Sequence, residues 1–242
     1  MDGNELFICL NNVSFGYPGE TNILKKLDLN FHKGDRIGLV APNGSGKTTL
    51  FHLILGLLNP KKGEITLFGK PAREELDFIQ ARKRIGLLFQ DPDDQLFCPI
   101  VLEDVAFGPL NLGKSKDEAI EISRQTLNFL GLSDFENRVT AKLSGGEKRL
   151  VSLATVLAMK PEVLLLDEPV AGLDNRTKSI LVEVLEKLAL SQIIISHESE
   201  FLAATTDHIY TLKDGKIDSD RDRHIHIFYH THAEGTRPHS HD

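Results

Sequence analysis

Three short groups of residues carry the side chains that phosphate chemistry needs. The first is Ala41-Pro42-Asn43-Gly44-Ser45-Gly46-Lys47-Thr48, between the apolar run Arg36–Val40 and a segment of helical period. Glycines let backbone N–H groups turn inward around a phosphate, and the helix N-terminus adds partial positive charge. Asn43, Gly44, Ser45, Gly46 and Thr49 belong to this cradle, and Lys47 reaches the terminal phosphates. Thr48 offers a hydroxyl to Mg²⁺. The usual pattern opens on glycine; here Ala41 stands at the strand end.

The second group is Val163-Leu164-Leu165-Leu166-Asp167-Glu168. An apolar strand delivers Asp167 to the edge of a sheet, where it can hold Mg²⁺. Glu168 is then placed to take a proton from an attacking water. Alone, two carboxylates at a strand end read equally well as solvated; beside the phosphate loop the chemical role is favoured. The third group is Leu143-Ser144-Gly145-Gly146-Glu147. Ser144 and Glu147 have the spacing of a capping box. Gly145 and Gly146 leave N–H groups open for an anion.

These groups need elements to carry them. Strand-like runs are Leu6–Phe15, Leu27–Phe31, Arg36–Ala41, Glu64–Phe68, Ile85–Phe89, Glu162–Asp167, Ile193–Ser196 and His208–Leu212. Runs as continuously apolar as Val163–Leu166 suit strands buried on both faces of a parallel sheet. Helical period marks Gly46–Leu57, Lys116–Leu130, Glu147–Met159 and Asn175–Leu190. Alternation of the two predicts an α/β fold. The stretch Asp91–Leu143 breaks the alternation: it reads as helices without a convincing strand, opened at one point by the capping box Ser115-Lys116-Asp117-Glu118.

Taken together, the strings resemble the ATP-binding subunits of ABC transporters, over roughly Leu6 to Gly215. Leu143–Glu147 is similar to the family's signature, which usually ends in Gln. Gln90, at the end of Ile85–Phe89, corresponds to the Q-loop glutamine. Ala171-Gly172-Leu173-Asp174 resembles the D-loop, Ile195-Ser196-His197 the switch-histidine segment, and Tyr17 the aromatic that stacks on adenine. Singly, Gln90, His197 and Tyr17 would read as ordinary loop or core residues; their order carries the likeness. The resemblance implies a P-loop NTPase (RecA-like) core, an N-terminal antiparallel β subdomain and an α-helical subdomain inserted at about 91–143. It implies ATP and Mg²⁺, with Thr48, Gln90 and Asp167 as Mg²⁺ ligands and Lys47, Gln90, Glu168 and His197 catalytic. It also implies a second ATPase subunit whose Ser144, Gly145 and Gly146 face this subunit's ATP, with Asp174 connecting the two sites; a homodimer is the default.

Phe89–Phe97 and Val101–Pro109 resemble the ATPases of cobalt, nickel and vitamin importers of the energy-coupling-factor type. Residues near 91–109 are expected to dock an integral membrane subunit; alternatively they only pack the helical lobe. The chain has 242 residues and ten histidines, six of which (His224, His226, His230, His232, His239, His241) form three His-x-His pairs at the end. In an extended chain His224, His226, His230 and His232 share one face. Neutral imidazole suits Ni²⁺, Co²⁺, Zn²⁺ and Cu²⁺. The alternative is a solvated tail. Residues 1–217 are thus expected to form the ATPase domain and 218–242 a His-rich tail binding Ni²⁺ or Co²⁺, nickel first.

Composition narrows the field. A net charge of -7 disfavours a general nucleic-acid coat. Two cysteines make no disulfide framework, and no run approaches the ~20 apolar residues of a membrane span. Met1-Asp2-Gly3-Asn4-Glu5 lacks the basic start of an export signal. These features predict a soluble, cytosolic chain, and the family resemblance implies a peripheral place on the cytoplasmic face of the membrane. The competing classes are a vitamin importer's ATPase and a soluble ABC ATPase outside transport, the latter disfavoured by a single cassette without a long coiled coil.

Overall fold

The computed structural model describes residues 5–19 and 21–218. Two sheets and a helical layer build the chain. The first sheet has the order β2-β1-β4-β5, from β1 (Leu6–Phe15), β2 (Leu24–His32), β4 (Lys62–Leu67) and β5 (Lys70–Pro71), with every pairing antiparallel. The second has the order β10-β9-β3-β8-β7-β6. Its strands β3 (Arg36–Val40), β6 (Ile85–Leu88), β7 (Val163–Asp167), β8 (Ser191–Ile195) and β9 (His208–Lys213) run parallel; β10 (Lys216–Asp218) closes the edge antiparallel.

The parallel strands are apolar on both faces because both are covered. Leu165 and Ile193 pack into the core shared with the first sheet and α1 (Lys47–Ile54). Leu164, Leu166 and Ile194 pack into a second core under α5 (Gly145–Leu157) and α6 (Asn175–Leu188). α1 buries Leu50, Phe51, Leu53 and Ile54. Each such side chain contributes about 1.5–3 kcal/mol when fully buried, which anchors the helix whose first turn must meet the phosphates.

The inserted stretch holds α3 (Val101–Asn111), α4 (Lys116–Phe129) and three short 3-10 turns, with a single isolated bridge between Ile100 and Val139. The capping boxes at Ser115/Glu118 and Ser144/Glu147 both form. Two helices escaped the periodicity reading. α2 (Glu75–Arg82) buries only Phe78 and Ala81, and α7 (Ser199–Thr205) is seven residues long; neither is enough for a helical stripe to stand out. The second strand starts at Leu24, not Leu27, because Ile23 N–H and Lys25 N–H are taken by the carbonyls of Phe15 and Gly215. The helix expected to run to Leu190 ends at Leu188, where Ala189 turns left-handed at φ 46°. Among the described residues no helix is long and apolar enough to cross a membrane.

Candidate functional site

Sheet register assembles the site. Leu39 pairs with Ile195, and Ile195 pairs with Asp167; Leu88 pairs with Leu166 on the next strand. The segments that leave β3, β8, β7 and β6 therefore emerge along one carboxyl edge, as ligand sites of open α/β sheets do. They carry the loop from Ala41, His197, Glu168 and Gln90.

The loop's turn is made by Gly44 (φ 76°) and Gly46 (φ 95°), while Ala41 is buried without a positive φ. A Cβ on Gly46 would also lie 2.6 Å from Ile23 Cγ2, so that position requires glycine twice over. No side chain caps α1. Its first-turn N–H groups are thus left for an anion. Tyr17 stands beside this turn, its hydroxyl 3.4 Å from Thr49 Oγ1 and its ring edge-on to Phe15.

Lys47 Nζ donates to Glu168 Oε1 at 3.0 Å and lies 2.7 Å from His197 Nε2. His197 Nε2 is 3.2 Å from the same carboxylate oxygen, and His197 N–H donates to Glu168 Oε2 at 3.3 Å. Glu168 adopts φ 46°. A non-glycine residue in this region carries about 1–3 kcal/mol of strain, a condition that clusters at functional sites. That turn lets Glu168 N–H bond Ile195 O while its carboxylate faces Lys47.

Thr48 Oγ1 donates to Asp167 Oδ2 at 2.7 Å. Asp167 is 3 % exposed, and its Oδ1, like Ser45 Oγ, has no hydrogen-bond partner. Burial raises the Asp167 pKa above the ordinary value and the Glu168 charge adds to this, against the Thr48 bond and Lys47. A buried carboxylate oxygen left without a donor, next to a hydroxyl, is the donor set a hard cation such as Mg²⁺ takes. Thr48, Gln90 and Asp167 line one cleft of about 620 Å³, together with Asp91, Gly145 and Arg149. Ligand sites fall in this size range.

Ser144 caps α5 through Glu147 N–H, and Glu147 Oε2 accepts from Ser144 N–H at 2.8 Å. That backbone bond holds the Glu147 pKa below the usual range. A Cβ on Gly145 would meet nothing within 4 Å, whereas on Gly146 it would press on Thr177. The Asp174 carboxylate caps α6, accepting from Thr177 N–H at 2.9 Å and from Thr177 Oγ1 at 3.0 Å. Lys47, Glu168 and His197 thus form one hydrogen-bonded set, and Thr48 with Asp167 forms another beside it. Gln90 and Gly145 border the same cleft, Tyr17 and Thr49 flank the loop, and Asp174 is engaged at its own helix. His224, His226, His230, His232, His239 and His241 lie outside the described residues.

Sequence reasoning missed Arg149. It is 2 % exposed, and its guanidinium donates to Phe89 O at 2.5 Å and to Gln90 O. An arginine in a helix otherwise rich in charge reads as a solvated side chain, and no spacing signals the carbonyls of a strand 60 residues away.

The loop leaving Gln90 leads to an apolar surface. Phe97 and Phe107 stand edge-to-face with centroids 4.7 Å apart, 64 % and 46 % exposed, with Leu110 close in sequence and also exposed. Asp104, buried beneath, accepts from Phe97 N–H at 3.1 Å and Cys98 N–H at 3.0 Å. Burial, with the Asp104 carboxylate, pushes the Cys98 thiol up to about 11. Asp91, Asp93, Asp94 and Glu103 are exposed in the same stretch.

Residues 24–171 match the ABC transporter family. A putative ABC transporter ATP-binding protein of Nitratidesulfovibrio vulgaris is 48 % identical over 240 residues, covering 99 % of this chain and 87 % of the relative. The energy-coupling factor transporter ATP-binding protein EcfA of Methanocaldococcus jannaschii is 44 % identical over 207 residues, 84 % of this chain and 74 % of the relative. Among solved structures, cbiO1 from Clostridium perfringens, part of the ABC transporter complex cbiONQ, superimposes with a TM-score of 0.78 at 32 % identity, covering 89 % of this chain and 88 % of that one. The dimeric structure of a bacterial ABC transporter cassette gives 0.79 at 28 % identity, over 88 % and 97 %.

Proposed function

Because the chain belongs to the ABC transporter family of ATP-binding, ATP-hydrolysing proteins, we propose that it powers uptake of a transition-metal cation, nickel before cobalt, through a separate membrane subunit. The observation that supports the ATPase chemistry is the pair of hydrogen-bonded sets, Lys47 with Glu168 and His197, and Thr48 with Asp167, at one sheet edge. The ATP phosphates lie in the cradle Asn43–Thr49 against the α1 N-terminus, with the adenine on Tyr17. Thr48, Asp167 and Gln90 would hold Mg²⁺, which would supply charge neutralisation at the phosphate oxygens. Lys47 turns from Glu168 to the terminal phosphates. The freed Glu168 carboxylate takes the proton of the attacking water, and His197 Nε2 orients that water or the γ-phosphate.

Two subunits complete the site, each lending Ser144, Gly145 and Gly146 to the partner's ATP, and Asp174 lies where the two meet. A homodimer suffices, since one chain carries both halves. The surface of Phe97, Phe107 and Leu110 docks the membrane subunit and keeps this chain peripheral at the cytoplasmic face. Its acidic rim favours an apolar segment flanked by Lys or Arg. Residues 1–217 form the ATPase unit, with residues 91–143 as its helical insert, and 218–242 form a metal-binding tail. β10 runs to Asp218, so truncation after that residue spares the sheet.

Metal uptake rests on the six tail histidines together with likeness to the energy-coupling-factor ATPase and the cbiO1 cassette. Titrating Ni²⁺ and Co²⁺ into the full chain and into residues 1–218 tests it. Binding confined to the full chain is expected, and equal affinity in both overturns the tail's role. Purification from native membranes should bring down an integral membrane chain; its absence sinks the transport reading.

A further inference from the structure

At the sheet edge where the parallel strands begin, opposite the phosphate loop, α4, α5 and α6 leave an apolar groove of about 340 Å³ between them. Ile122, Thr126 and Phe129 line it from one face of α4, at helical spacing. Leu157 and Leu188 line it from the last turns of α5 and α6, and Leu190 from just before β8. Phe129 is 47 % exposed there. The hydroxyl and amide donors in the wall are already engaged: Thr126 Oγ1 donates to Ile122 O and Gln125 Nε2 to Glu121 Oε1, both at 2.8 Å. Such a wall suits an apolar occupant better than a small polar ligand.

We infer that the occupant is this chain's own segment Ile225–Tyr229, laid along the groove as an extended strand. Direction and reach support it. β10 runs antiparallel to β9 and ends with Asp218 opposite Thr211, so the chain leaves it heading for the edge where the groove lies. Thr211 to His208 is about 10 Å along β9. β8 and β7 are three and four strands from β10, about 14–19 Å across the sheet. The path is thus about 24–29 Å. Extended, Ile225, Ile227 and Tyr229 lie about 23, 30 and 36 Å beyond Asp218. Pattern supports it as well. After Asp218 the large apolar side chains are Ile225, Ile227, Phe228 and Tyr229 alone. In a strand Ile225, Ile227 and Tyr229 share one face, and His224, His226 and His230 the other. The apolar face fills the groove and leaves the imidazoles outward. The subunit partner proposed above meets the opposite end of α5, about 20 Å away over its 13 residues, and so does not cover the groove. The docking stands apart from the metal reading, because the histidine face takes no part in it.

The chain has no tryptophan, so Tyr229→Trp in the full, metal-free and nucleotide-free chain puts a single indole on the docking face. Its emission should be shifted to the blue and shielded from acrylamide, equally at low and high chain concentration. Adding Phe129→Asp in the groove, or Ile227→Asp in the segment, should lower the ratio of docked to free segment by about tenfold or more, as loss of a buried anchor does. Tm should stay within about 2 °C of the parent, since both changes fall outside the two cores. If Phe129→Asp lowers Tm further, Ile227→Asp decides, because it alters no residue of the sheets or helices described. Solvent-like emission in the parent overturns the inference. An indole that stays shielded in Phe129→Asp or Ile227→Asp at unchanged Tm is docked elsewhere, which overturns it too. Shielding that grows with chain concentration, together with dimers in sedimentation, gives the groove to a second copy and overturns it as well.

Discussion

Two regions of the molecule reverse the ordinary placement of side chains, in opposite senses. At the end of β7, Asp167 and Glu168 are carboxylates that are almost wholly buried. At the start of the helical insert, Phe97 and Phe107 are large rings that stand in solvent. Buried charge and exposed aromatic surface are each informative because each is unfavourable in isolation. The first is met within the chain only in part: Lys47 and His197 reach Glu168, and Asp167 keeps one oxygen without a donor. The second is not met among the described residues, although Asp104 fixes the backbone that presents it. On the proposed function, one region receives a small polyanion with its cation and the other a protein surface. Loop 89–97 joins them.

Separate perturbation of each region sharpens the contrast. The largest effect is expected from Glu168→Gln, which removes the proposed proton acceptor and keeps the shape. Steady-state ATP hydrolysis should fall by about 10²–10⁴ while equilibrium ATP binding persists; near-normal turnover would take the base role from Glu168. Next comes Phe97→Ser combined with Phe107→Ser. Recovery of the membrane subunit in co-purification should drop by about tenfold to a hundredfold, as for loss of an aromatic anchor pair, with basal hydrolysis and Tm unchanged. A fall in Tm with unchanged co-purification would make the rings part of the fold and break the comparison.

The smallest effect concerns stability. Burial raises the pKa of Asp167, so the folded chain holds that proton more tightly than the unfolded chain. Its contribution is fully present below the unfolded carboxylate value of about 3.9 and is lost as pH rises through the folded value. At neutral pH the ionised group is therefore a liability, and Asp167→Asn should raise the nucleotide-free Tm by about 2–4 °C. It should also abolish the extra stabilisation by Mg·ATP over ATP alone. Calorimetry at pH 7 checks both, and a lower Tm in the variant would show that Asp167 is not held at a cost.

Much of this was legible because it is local. Gly44 and Gly46 mark a turn wherever they occur in such a string, and both adopt positive φ. Ser115–Glu118 and Ser144–Glu147 are boxes written within four residues, and both close. The continuous run Val163–Leu166 reads as a doubly covered strand and is one. What stayed illegible depends on partners distant along the chain. α2 contributes two apolar side chains to a core supplied mainly by other elements. Arg149 answers carbonyls at the end of another element, and Phe97 could have been core until the fold left it outside.

The sequence by itself determined which chemistry is available: a phosphate loop with its lysine, two carboxylates at a strand end, a glycine-led helix and a row of histidines. These follow from residue type and short-range spacing, which backbone sterics and capping translate directly into conformation. Tertiary structure alone decided what each group meets. The Leu39, Ile195 and Asp167 register brings Lys47 to Glu168 and His197, and the packing of α5 on β6 brings Arg149 to Phe89 and Gln90. Contacts of this kind are fixed by sheet register and core packing, which depend on the whole chain and are written in no single segment of it.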